Sequence, residues 1–400
     1  MAQLSDRMRA LVQPHLVDIE PYDPAFTPTR INLSANENTY PMPYVVRTAI
    51  NDALASTPLN RYPDPMANAV RDRLAAQHGV SRRQVCVGNG GDELLYNFLM
   101  AFGGKGRTLV NCPPAFSEYA FFAALTETAV VDVWRDLTTF ELDVPCLVEA
   151  AAHANLVVVT SPNNPTGNLV DAATVEQVCA ACPGLVMVDE AYSEFADPGT
   201  SVEALLARHS NLIVLRTLSK AFGEAGIRCG YVLAAPDAID VFCAVRQIYS
   251  VNVLTQAAAE LAARNQAMFR PVVEQIREER ERLRKGLCAL GEALEREDNE
   301  TSKVDMCPEG HPEEHAETAA SADVPARRVT VWPSQGNFLL VRLPHAARIR
   351  QRLRDEYSIL VRDFSQTPGL NGCLRITVGT PEENDEVLHA LETLLKEERS

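Results

Sequence analysis

Short apolar runs of β-forming residues recur through the middle of the chain, and most are followed by a segment of helical periodicity. VCVG (85–88), TLVN (108–111), LVVVTSP (156–162), LVMVDEA (185–191), NLIVLRT (211–217) and CGYVLAA (229–235) carry apolar residues at successive rather than alternate positions. A strand that is apolar on both sides must be covered on both, so these runs predict an α/β fold with a mainly parallel sheet between helices. Residues 67–78 are periodic and helical, and GDELLYNFLMAF (91–102) sets Leu94, Leu95, Phe98 and Leu99 on one helical face. In an open α/β sheet ligands bind beyond the carboxyl ends of the strands. The polar residues that follow each run are therefore the candidates for function.

The flanks differ from this middle. Residues 1–30 read as a helix and a Pro-rich connector, and 31–66 as loop-rich. Residues 267–297 predict a long bridging helix, and the acidic stretch 298–327 a surface excursion, poor in large apolar groups and prone to disorder. RVTVWPS, NFLLVRL and LRITVG (374–379) read as further strands before an amphipathic helix from about 381. This divides the chain into an N-terminal arm that joins a smaller domain (1–45), a large domain (46–265) and a smaller C-terminal domain (266–400). The net charge of −16 and the lack of a basic block argue against nucleic acid. No apolar run reaches membrane-span length and the first residues lack a secretory h-region, so the expectation is a cytoplasmic protein. Ten cysteines without a framework suit a reducing compartment. Cys179 and Cys182 form a lone CxxC at a predicted helix end, where packing is the simpler reading. Cys307, His311 and His315 are spaced so that a helix would align them for a metal, but an acidic solvated loop explains them as well.

Lys220 stands out, in RTLSKAFGEAGIRCGY after an apolar strand. Desolvation and nearby positive charge lower a lysine's pKa and make it a nucleophile toward carbonyls; Arg216 and Arg228 flank it in sequence, and Thr217 and Ser219 offer hydroxyls to a phosphate. Asp189 ends the strand LVMVD, where its carboxylate can keep a pyridine nitrogen protonated, and Tyr192 lies three residues on. Together these point to pyridoxal 5'-phosphate held as a Schiff base. Asn164, in SPNNPTG, is aimed by the proline after it and can reach the ring's phenolic oxygen. Gly90, Gly91 and Asp92 open a helix after a Gly-rich turn, a seat for a phosphate. Phe116 in CPPAFSEY can stack on a ring, or simply pack in the core. Arg375 and Arg362 follow or lie in late strands and can grip a carboxylate or a phosphate.

Taken in order, LSANEN, RYPDP, GNGGDEL, PPAFSEY, SPNNPTG, VDEAYSEF, TLSKAFGEAGIRCGY, QGNFLLV, ILVRDF and LRITVGTPEEN resemble the fold-type I aminotransferases, and most closely the histidinol-phosphate aminotransferases. The resemblance runs from about residue 20 to 395, except 298–327. It implies a seven-stranded large domain and a smaller α+β domain, with Lys220 carrying the cofactor and Asp189 on the pyridine nitrogen. Asn164 and Tyr192 would bind the phenolic oxygen, and Phe116 would stack on the ring. Thr217, Ser219, Arg228 and the amides of Gly91 and Asp92 would hold the phosphate. Tyr62 would reach the partner subunit's cofactor phosphate, so the site would need a homodimer. Arg375, with Asn337, would take the α-carboxylate of glutamate or 2-oxoglutarate; Arg362, with Tyr22 and Asn36, would take the phosphate of histidinol phosphate. An aromatic amino-acid aminotransferase and a threonine-phosphate decarboxylase remain alternatives. ENTYPMP and Glu224 depart from the family's usual pattern, and either could alter the pocket entrance or the choice of amine.

Overall fold

The computed structural model describes residues 4–20, 27–304 and 328–398. Twelve strands among them form two sheets: β1 (Ile31–Leu33), β2 (Val85–Asn89), β3 (Thr108–Asn111), β4 (Ala129–Asp132), β5 (Leu156–Thr160), β6 (Leu185–Asp189), β7 (Leu212–Thr217), β8 (Cys229–Ala234), β9 (Thr330–Val331), β10 (Phe338–Arg342), β11 (Ile359–Asp363) and β12 (Cys373–Thr377).

The larger sheet has seven strands in the order β2-β8-β7-β6-β5-β3-β4. Only β8 runs antiparallel to its neighbours. The central strands β5, β7 and β8 are buried at every position, as their unbroken apolar runs require. One core lies on each side of the sheet, the first including Val157, Val159, Val186, Val188 and Val214, the second Leu156, Val158, Met187, Ile213 and Leu215. Alternate residues of the same strands thus feed opposite cores.

The smaller sheet has the order β1-β11-β12-β10-β9. Its first strand comes from the N-terminal segment and pairs in parallel with β11. Two long helices cover it, Arg270–Val304 and Pro381–Glu397. The first of these links the two cores. Val273 and Ile276 pack with the larger sheet, whereas Leu283, Leu287, Leu290 and Leu294 pack with the smaller one. Residues 298–304 continue this helix instead of leaving it as a loop, while Cys307, His311 and His315 lie outside the described residues. Cys179 and Cys182 are buried free thiols at the end of the helix Ala172–Ala181, and no metal-binding group of side chains occurs among the described residues. No described helix is long and apolar enough to cross a membrane.

Residues 31–66 are less loop-rich than their sequence suggests, because they contain β1 and the helix Tyr44–Ser56. At the N-terminus the helical segment is a single turn, Asp6–Arg9, followed by a 3-10 turn, Pro14–Leu16.

Leu287 is fully buried in the smaller core. Leu287→Ala is expected to destabilise the protein by about 2–5 kcal/mol in denaturant titration, whereas exposed Lys285→Ala on the same helix should change it by under about 0.5 kcal/mol.

Candidate active site

The carboxyl ends of β5, β6 and β7 bring three motifs to one edge of the larger sheet. Thr160 and Asp189 are register partners at the ends of β5 and β6. Asp189 is 5% exposed, and its carboxyl has no salt-bridge partner among the described residues. Its Oδ2 accepts a hydrogen bond from the Tyr119 hydroxyl at 2.6 Å, and its Oδ1 accepts one from the Ala191 N–H at 3.0 Å. Burial pushes this carboxyl up to about 6, against the pull of those two donors.

Lys220 follows β7. Its Nζ donates to the Ala35 carbonyl at 2.8 Å and lies 5.8 Å from the centre of the Tyr192 ring. Burial first, then the positive charges of Arg375 and Arg228, lower its pKa to about 8, opposed by Glu37 and Asp92. Arg216 is not part of this effect. It lies near the end of β7, where it pairs with Glu190 at 2.7 Å and with Glu194 and Glu203 at 3.3 Å each. Its charge is taken up by those three carboxylates, so nearness in sequence does not bring it to Lys220. Arg375, distant in sequence, supplies the largest positive influence instead.

Gly90 adopts φ 85°, and a Cβ there would collide with the Arg228 guanidinium. Gly91 and Asp92 then begin the helix Gly91–Phe102, whose first N–H groups point outward from its N-terminus. Arg228 reaches the same turn, pairing with the Asp92 carboxylate at 2.8 Å. The Ser219 hydroxyl makes no hydrogen bond among the described residues. The Thr217 hydroxyl is already engaged: it accepts from the Ser219 N–H at 3.1 Å and donates to the Cys229 carbonyl at 3.3 Å. Its first task is to shape the turn that carries Ser219 and Lys220.

Asn164 is 7% exposed and accepts from Arg375 at 2.5 Å through Oδ1, which turns its amide N–H groups away from Arg375. The other Arg375 amino group donates to the Ser34 carbonyl at 2.5 Å, and the guanidinium sits 5.6 Å from the rings of both Phe338 and Phe364. Arg362 is the direct register partner of Arg375 across β11 and β12. Two like charges directly opposed on one sheet face oppose stability. Arg362 forms no hydrogen bond or ion pair among the described residues and lies 6.0 Å from the Phe364 ring centre. Phe116 is partly buried, with its ring 5.6 Å from that of Tyr119 and nearly perpendicular to it.

Asn36 and Asn337 have no exposed surface. Asn36 donates to the Tyr192 hydroxyl at 3.0 Å and accepts from Asn337 through its backbone carbonyl at 3.0 Å. The pair braces Tyr192 from behind. Tyr62 is 81% exposed and stacks on Tyr249 with ring centres 4.6 Å apart, so it does not enter the site of its own chain. Tyr22 lies outside the described residues. Glu224 is 1% exposed, neither of its carboxyl oxygens has a partner among the described residues, and burial pushes its pKa to about 8. Tyr119 lies inside a motif read for Phe116 alone; a tyrosine three residues after an aromatic, on the first turn of a helix following a strand, was the available signal.

A buried carboxyl and a lysine follow neighbouring strands of the larger sheet, and the smaller sheet adds a pair of arginines. The class I and II aminotransferase family matches residues 28–391, and the chain belongs to it. It is 35% identical over 379 residues to histidinol-phosphate aminotransferase 1 of Carboxydothermus hydrogenoformans, covering 94% of this chain and 96% of that protein. It is 36% identical over 371 residues to the histidinol-phosphate aminotransferase of Thermobifida fusca, covering 91% and 89%. Among solved structures, histidinol-phosphate aminotransferase from Sinorhizobium meliloti, in complex with pyridoxal-5'-phosphate, superposes with a TM-score of 0.77 at 24% identity over 92% of each chain. L-threonine-O-3-phosphate decarboxylase from Porphyromonas gingivalis gives 0.70 at 25% identity, over 92% of this chain and 99% of that one. The fold is that of the fold-type I enzymes, and it is shared by a transaminase and a decarboxylase.

Glu224 yields a test of its own. A carboxyl whose folded pKa is raised stabilises fully below its unfolded pKa of about 4.5, and that contribution is lost as pH rises through about 8. Glu224→Gln is therefore expected to raise Tm relative to the parent at pH 9 and to change it little at pH 5, measured by thermal unfolding at both.

Proposed function

We propose that the chain is a pyridoxal 5'-phosphate-dependent aminotransferase that moves an amino group between histidinol phosphate and 2-oxoglutarate. The observation that carries the substrate assignment is the register pair Arg362–Arg375: two guanidiniums side by side on one face, one tied to Asn164 and Ser34, the other uncommitted among the described residues. Two adjacent cations suit a reaction whose two substrates are different anions. Glutamate brings two carboxylates, and histidinol phosphate brings a phosphate and no carboxylate. The relatives' names point to the same substrate.

The residues fit the cofactor. Asp189 is a buried carboxyl without a cationic partner among the described residues, as a protonated ring nitrogen would require. The Gly90–Gly91–Asp92 turn, Ser219 and Arg228 form an anion seat, with Arg228 already drawn to a carboxylate there. Phe116 supplies a ring to stack on, and the Asn164 amide and Tyr192 hydroxyl are donors for the phenolic oxygen.

When bound, the cofactor supplies an electron sink that acidifies the α C–H of an attached amine. Lys220 does the proton work. With its pKa near 8, about one-tenth of it is unprotonated at pH 7, so it can attack a carbonyl and, once freed, accept and return a substrate proton. The Ala35 carbonyl gives its ammonium a resting partner. Tyr192, braced by Asn36, fixes the donor beside it. Arg375 orients a carboxylate, and Arg362 orients the substrate's far anion.

The reading includes a homodimer in the cytoplasm. Tyr62, exposed and held by Tyr249, is available to a second subunit's site, and the described cysteines are all free, in keeping with a reducing compartment.

Lys220→Ala is expected to lose the visible absorbance of the bound cofactor and nearly all turnover; a yellow, active variant would sink the assignment. Arg362→Ala should reduce kcat/KM for histidinol phosphate by on the order of a hundredfold or more, the loss of a charge-assisted anion contact, while sparing phenylalanine as donor. A donor panel of histidinol phosphate, phenylalanine, tyrosine and threonine phosphate, read as half-reaction absorbance changes, checks both. Equal losses on both donors would remove Arg362 from the phosphate role.

A further inference from the structure

Tyr119 is 1% exposed, yet it carries a hydroxyl into the core beneath the site. A phenylalanine would fill the same space without the cost of burying a polar group. Its hydroxyl meets two partners: Asp189 Oδ2 at 2.6 Å and Thr160 Oγ1 at 2.8 Å. The proton directions follow from what each group can do. An ionised carboxylate only accepts, so the single Tyr119 proton goes to Asp189, and Thr160 must donate to the Tyr119 oxygen. The chain Thr160→Tyr119→Asp189 is thus polarised toward the carboxylate. β5 and β6 hold its two ends as register partners. The same tyrosine ring packs edge-on against Phe116, so one side chain supports both the acid and the stacking ring.

We infer that Tyr119 is a positioning residue for the cofactor, whose donated hydroxyl holds the Asp189 carboxyl as the anion that pairs with the pyridine nitrogen. The inference rests on the cofactor assignment above and deepens it. Asp189 sits where burial favours its neutral form, and no described cation offsets that. Two groups then compete for one proton, the carboxyl and the ring nitrogen, and they titrate as a pair. A short hydrogen bond to the anion lowers the carboxyl's basicity and leaves the proton on the nitrogen. Without it, the carboxyl becomes more basic and draws the proton to itself. The charged pair becomes a neutral hydrogen bond, and the electron sink weakens.

The test uses the holoenzyme loaded with cofactor labelled with 15N in the ring, and reads the nitrogen's chemical shift near neutral pH. The parent is expected at the protonated position and Asp189→Asn at the unprotonated one. Tyr119→Phe should lie between them, displaced toward Asp189→Asn, and Thr160→Val should move the same way by less. With Tyr119→Phe, kcat should fall on the order of tenfold while KM changes less than about twofold. A Tyr119→Phe signal at the parent's position overturns the inference and leaves the hydroxyl a structural role. If Tyr119→Phe fails to load, Thr160→Val decides by the same criterion. A parent that binds no labelled cofactor would sink the functional reading itself, and the two failures are distinguishable.

Discussion

Burial of charge at the carboxyl edge of one sheet is the constraint on which the rest of this structure depends. Asp189 and Lys220 lie at the ends of neighbouring strands, and the same loss of water moves both toward neutrality, the acid up to about 6 and the lysine down to about 8. Neither shift is favourable to stability at neutral pH. Both are useful chemically: an acid that needs a cationic partner and a lysine that sheds its proton easily are what a carbonyl cofactor with a basic ring nitrogen requires. The flanking apolar strands shut water away from Asp189, while Lys220 keeps partial exposure at the edge.

The smaller sheet supplies what the larger one lacks. β12 delivers Arg375 to Asn164, closing a contact between the two sheets, and the guanidinium depresses Lys220 from across the same gap. The neighbouring strand adds Arg362 at the matching register position. On the proposed reading, chemistry is assembled on one sheet and substrate selection on the other. The shared helix Arg270–Val304 packs into both cores and couples their positions.

Much of this was legible in the sequence for physical reasons. Strands buried on both faces announce themselves as unbroken apolar runs, and the site residues follow those runs directly. The exceptions have equally plain causes. β4 is an edge strand exposed at all four positions, so its short apolar run, AVV, is not the mark of burial on both faces. β1 has three residues and is defined by pairing with a strand more than three hundred positions away. Arg216 sits four residues from Lys220 but is neutralised by acids that no local pattern connects to it. Asn36 and Asn337 are joined to each other and to Tyr192 by hydrogen bonds that span the chain and that no local pattern reveals. In each case tertiary contacts, not local pattern, decide where a side chain acts.

The central claim is that Lys220 carries the cofactor covalently. Borohydride reduction of the loaded protein, followed by peptide mapping by mass spectrometry, tests it most directly. The account requires the reduced pyridoxyl phosphate adduct on the peptide containing Lys220. An adduct confined to Lys105, Lys285 or another lysine, with Lys220 unmodified, would contradict it.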